Sequence, residues 1–155
     1  MKNLILCLAC VLTMAIPSTA SGDFGLGIIL GAPSGISAKI ATGQTNSVNL
    51  ILGYDLNDGP GCCRDNGQLY IGGDYVWYNY NLIRVSKGRL PLYYGPGANA
   101  SFSNNSRVGV RGVIGLEYQF SGAPFDVFLE IAPGINVMPS THGYVSGGLG
   151  SRFFF

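Results

Sequence analysis

Charge is what this sequence has least of. Asp, Glu, Lys and Arg together make up 11% of its 155 residues, about half the usual share. A domain of this size cannot cover itself with an ordinary water-facing surface from so few charges. No basic excess exists either: nine Lys and Arg stand against eight Asp and Glu, which excludes the electrostatic footprint of a nucleic-acid binder. Histidine occurs once, as His142, so a His-rich metal site is excluded. Helical periodicity is missing too. After Ala20 no stretch keeps a 3.6-residue period, and Gly or Pro interrupts every few residues. In place of these, hydrophobic residues reach 47% and Gly 24 positions. That balance excludes a disordered chain and suits β structure in an apolar setting.

The first twenty residues read differently from the rest. Lys2 supplies a positive end, Leu4 to Ile16 is apolar, and Pro17-Ser18-Thr19-Ala20 closes the segment with small residues. This is the pattern of an export signal peptide cut after Ala20, and the apolar run is too short for a spanning helix. The expected organisation is a signal peptide over 1–20 and a single domain over 21–155. Without Lys2 the exported chain carries eight bases and eight acids. Cys62 and Cys63 remain, adjacent in the Asn57-Asp58-Gly59-Pro60-Gly61 loop. They form a strained vicinal disulfide, a cross-link to a partner or a plain pair of loop thiols, and the narrow geometry a disulfide demands favours the last. No second Cys or His cluster at metal spacing accompanies them, so neither metal nor cofactor is expected.

What recurs in the domain is a period of two, the mark of a strand with unlike faces. From Val108 to Phe120, one set is Val108, Val110, Gly112, Ile114, Leu116, Tyr118 and Phe120. The other is Gly109, Arg111, Val113, Gly115, Glu117 and Gln119. Bulk falls on one side and charge on the other. The same division marks segments starting near Phe24, Ile36, Ser47, Leu69, Tyr94, Asp126 and Tyr144, which makes eight strands. Turn signals separate them, among them Pro33-Ser34-Gly35, Gly43-Gln44-Thr45-Asn46 and Ser86-Lys87-Gly88. Alternation blurs over residues 79–92. Short connections predict an antiparallel up-and-down barrel of eight strands.

Such a barrel can be a soluble lipocalin-like binder with its apolar face inside, or a transmembrane barrel with that face outside. The polar face favours the membrane. It is rich in Gly, Ser and Asn, which fit a crowded eight-stranded lumen. Its charges are Lys39, Arg111 and Arg152 against Asp74, Glu117 and Glu130, three against three, as a buried network requires. On the apolar face, Phe24, Trp77, Tyr94, Tyr118, Phe120, Phe125, Phe153 and Phe155 all fall near one rim, where a girdle at the membrane–water interface would lie.

From about residue 23 onward the chain resembles small bacterial outer-membrane barrels of the OmpA/OmpX-like, single-barrel type. The resemblance rests on Gly25-Leu26-Gly27 with Gly31-Ala32-Pro33-Ser34-Gly35-Ile36, on Leu92-Tyr93-Tyr94-Gly95, on Gly109-Val110-Arg111, on Phe128-Leu129-Glu130-Ile131-Ala132-Pro133, and on the closing Gly150-Ser151-Arg152-Phe153-Phe154-Phe155. It implies an outer-membrane location in a Gram-negative bacterium and outer-membrane lipid as the surroundings. It also implies recognition of Phe155 by the barrel-assembly machinery. It implies no activity and no oligomeric state.

Chemistry is sparse. A lipid A-modifying hydrolase would need a Ser activated by a His on the lipid face. His142 has Ser140 and Ser146 nearby, yet strand parity points it toward the lumen, and Tyr144 stands where such a pattern needs a Ser. Glu117 and Glu130 could form an acid/base pair, but each has a basic neighbour on its own face and reads better as packing. Arg84, Lys87 and Arg89 form a small basic group around a turn, read as a solvated turn. Gly25-Leu26-Gly27 opens no helix and is no nucleotide loop. The expectation is a non-catalytic barrel with a filled lumen and no wide pore.

Overall fold

The computed structural model describes residues 23–55, 68–83, 85–102 and 106–155. The segment read as a signal peptide, the loop with Cys62 and Cys63, and Arg84 lie outside them. Eight strands follow one another: β1 (Phe24–Ala32), β2 (Ser34–Ala41), β3 (Asn46–Asp55), β4 (Gln68–Asn79), β5 (Leu92–Phe102), β6 (Arg107–Gln119), β7 (Phe125–Met138) and β8 (His142–Phe154). Each pairs antiparallel with its sequence neighbour, and β1 pairs with β8, so the sheet closes into an up-and-down barrel. The expected fold is therefore found, and closure leaves no hydrogen-bonding edge.

Alternation runs through every strand. In β4 the buried positions are Gln68, Tyr70, Gly72, Asp74, Val76 and Tyr78, while Leu69, Ile71, Tyr75 and Trp77 are exposed. In β6 Arg111, Val113 and Glu117 are buried, and Val110 and Ile114 are exposed. The core is thus the lumen, and the apolar face is the outer wall. A lipocalin-like barrel needs the opposite arrangement.

Two proline-bearing strands run through positions where their neighbours are not paired. β7 runs on to Met138, past Pro133 and Gly134. Pairing of β6 to β7 skips from Arg111↔Gly134 to Ile114↔Ile131. Pro133 lies in that gap while still pairing with Val145 on β8. Its missing N–H coincides with the interruption of the β6–β7 ladder, while the β8 side stays paired. Pro96 repeats the arrangement in β5, where pairing to β4 skips from Asp74↔Gly97 to Trp77↔Tyr94.

Candidate functional site

The lumen gathers the charges in two groups. Arg111 on β6 grips Asp74 on β4 with both arms of its fork: Nε donates to Oδ1 at 2.8 Å and Nη2 to Oδ2 at 2.5 Å. Its Nη1 donates to the Tyr70 hydroxyl. Bidentate guanidinium–carboxylate pairs of this kind are strong and fixed in direction.

The second group centres on Glu117, nearer the other end of β6. Lys39 Nζ from β2 donates to Oε1 at 2.6 Å, and Arg152 Nη2 from β8 to Oε2 at 2.6 Å. The Tyr78 hydroxyl and Gln119 Nε2 add two further donors, at 3.0 and 2.7 Å. Four donors saturate the carboxylate, which is what a fully buried ion requires. Arg152 also reaches Asp126 through Nε, 3.3 Å from either oxygen, and its guanidinium lies 4.1 Å over the Phe128 ring. Lys39 Nζ sits 4.2 Å over the Tyr78 ring.

All six sequence-predicted lumen charges are buried, and five of them join these ion pairs. Glu130 stands apart, accepting from the Tyr93 hydroxyl at 2.8 Å. The expected balance of three against three needs a correction, because Asp126 is a fourth buried acid. The described lumen holds Lys39, Arg111 and Arg152 against Asp74, Glu117, Asp126 and Glu130. The signal was available: Asp126 shares the parity of Glu130 and stands directly across from Arg152 in the β7–β8 register.

Rings fill much of the remaining lumen. Tyr70, Tyr93 and Phe128 are almost wholly buried, with Tyr78 close behind. The sequence pattern does not reveal Tyr78, Tyr93 or Phe128 inside the lumen. Room for Tyr93 and Phe128 comes from glycine. A Cβ on Gly115 would lie 2.4 Å from Tyr93 Cζ, and Gly115 stands directly opposite Tyr93. A bulky residue facing a cross-strand glycine is the signal that would have found it.

The eight predicted girdle residues lie near one rim. Phe155 touches Phe24 and Phe153, with ring centroids 6.3 and 5.2 Å apart. Phe120 touches Tyr118 and Phe125, at 4.8 and 5.6 Å, and Trp77 touches Tyr94 at 6.3 Å. Tyr75 joins this band through Trp77. Two more exposed rings, Tyr54 and Phe102, end β3 and β5 at the opposite rim.

His142 is exposed at that opposite rim. Its Nε2 lies 3.0 Å from Asn136 Nδ2 and its Nδ1 3.1 Å from the Ser140 carbonyl oxygen. The Ser146 hydroxyl donates to the Ala132 carbonyl at 3.0 Å. The contacts of His142 are therefore with an amide and a carbonyl, and the Ser146 proton points to a backbone acceptor. Among the described residues, no group of three or more His, Cys, Asp or Glu is placed to hold a metal ion.

Comparison of the chain with protein-family models, with curated proteins and with solved structures gives no match in any of the three.

Proposed function

We propose that this chain is a non-catalytic outer-membrane barrel with a structural or interaction role, its lumen closed by a charge-and-ring network. The observation that carries the reading is the outer wall. Leu26, Ile28 and Leu30 on β1, Ile36 and Ile40 on β2, and Leu129, Ile131, Ile135 and Val137 on β7 are all exposed, and the remaining strands follow the same pattern. Soluble monomers rarely expose a contiguous apolar patch beyond a few hundred Å². A hydrocarbon surrounding removes that penalty, and the wall carries no mid-strand charge that such a surrounding would punish. The band of rings at one rim fits a membrane–water interface.

Filled lumens are the usual condition of eight-stranded barrels, and the network here supports a plug over a pore. The engagement of His142 and Ser146 supports a role without hydrolysis. The test is membrane fractionation with gel migration before and after boiling. Recovery in the outer-membrane fraction, with the unboiled form migrating apart from the boiled one, is expected. Recovery as a soluble protein would overturn the reading.

A further inference from the structure

Beside the girdle rim the lumen opens into a cavity of about 330 Å³. That is the small end of the range for ligand sites. Buried Lys39 and Tyr78 line its inner part, and Tyr80, Gln119 and Arg89 line the mouth. Arg89 belongs to none of the eight strands. It comes from the segment between β4 and β5, which is strapped onto the end of β6. Arg89 N donates to the Gln119 carbonyl at 3.0 Å, and Gln119 N returns a bond to the Arg89 carbonyl at 2.8 Å. The Tyr118 hydroxyl donates to the Lys87 carbonyl at 3.0 Å, and Gly88 N donates to Ser121 Oγ at 2.8 Å.

Gly88 has φ +75°, a conformation that glycine adopts without strain. A Cβ there would lie 2.6 Å from the Gln119 carbonyl oxygen. The strap is thus built for close approach, and antiparallel pairing sets Arg89 on the same side as Gln119, toward the lumen.

The charges at the mouth are unequal in their freedom. Lys39 is already neutralised by Glu117. No carboxylate of a described residue lies within salt-bridge distance of Arg89. Asp23 also lines the mouth. The rings of Tyr78 and Tyr80 stack, with centroids 6.0 Å apart and planes at 26°, and Tyr80 is only half-buried. Tyr80 and Arg89 thus line one mouth together.

We propose that this mouth binds a small monocarboxylate carried on a flat ring, the carboxylate on the Arg89 fork and the ring against Tyr80. Guanidinium matches carboxylate in two parallel bonds, and ring pairing adds a modest attraction. The site is independent of what surrounds the outer wall.

Benzoate is a suitable probe, titrated into the isotope-labelled, folded barrel and followed by NMR. Saturable shifts of the Arg89 side-chain N–H and of Tyr80 are expected, with Kd on the order of 1 mM. Arg89→Gln should weaken binding at least about tenfold, and Arg89→Lys less, because the charge remains without the fork. Tyr80→Leu should weaken it as well. Benzyl alcohol, with the ring and no charge, should give no saturable shift at Arg89. Gel migration before and after boiling verifies that each variant is folded. Equal benzoate binding by folded Arg89→Gln would overturn the proposal, as would shifts that never saturate. Inorganic phosphate binding as tightly as benzoate, unaffected by Tyr80→Leu, would overturn the ring's part in it.

Discussion

Arg152 and Glu117 meet across the lumen at 2.6 Å, from β8 and β6, with both side chains shut away from solvent. Glu117 also holds Lys39, so one carboxylate answers two cations from different strands. Glu117→Gln removes that answer: Lys39 loses its carboxylate, and Arg152 keeps only the Asp126 carboxylate, at 3.3 Å. Breaking a buried pair by removing one partner costs about 3–5 kcal/mol. Urea unfolding of the purified barrel should show a loss of that order. An effect below about 1 kcal/mol, the range of surface pairs, would mean that water reaches the group.

Asp126→Asn should behave in the opposite way. The described lumen has one acid more than it has bases, and Arg152 keeps Glu117 and the Phe128 ring when Asp126 loses its charge. The asparagine still offers an oxygen to Nε. The same urea experiment should give a change within about 1 kcal/mol, ordinary for a mild substitution. A cost equal to that of Glu117→Gln would show that both acids are needed as charges.

Ile131→Arg tests the outer wall. Ile131 lies midway along β7 with 54% of its surface exposed, so in water an arginine there is nearly neutral. Facing hydrocarbon, it costs about 2–4 kcal/mol. Folding into lipid vesicles of neutral composition should therefore be destabilised by that amount. An unchanged stability would count against a lipid-facing wall.

Gly134→Ala probes the fit of rings to glycines. The added Cβ would lie 2.5 Å from Tyr144 Cζ, and Tyr144 is held by its hydroxyl, which donates to Asn99 Oδ1. Overpacking of this kind costs about 1–3 kcal/mol. In a Tyr144→Leu background most of the added cost should disappear. A double-mutant cycle in urea measures the coupling, and a coupling near zero would contradict the contact.

The barrel was largely legible in the sequence because its two faces differ so sharply. Val108 to Phe120 assigns inside and outside residue by residue, and burial follows it. Less legible were the places where a local signal argued against the wider pattern. Pro133 breaks a β ladder locally, yet β7 runs through it at a gap in the β6–β7 pairing. Val127, Phe128 and Leu129 are bulky in succession, which hides the fact that parity sends Phe128 inward. Tyr78 and Tyr93 sit at the blurred boundary of β4 and β5, and the room for Tyr93 comes from Gly115 across the strand, which a single strand does not reveal. The strap carrying Arg89 was visible only as a basic turn. Its hydrogen bonds to Tyr118, Gln119 and Ser121 link residues about thirty positions apart, a distance that local patterns do not span.

The pairing of β1 with β8 also bears on how the barrel is made. These strands are the farthest apart in the sequence, and until they meet the sheet carries two open edges. Lys39 and Glu117, 78 residues apart, likewise gain each other only when the sheet curls far enough to bring β2 opposite β6. Hydrogen bonds at the seam and ion pairs inside it therefore arrive together. A half-rolled sheet would hold stranded cations and bare edges at once, so rolling should proceed as one cooperative event, with few resting points at which a partly formed wall could be trapped.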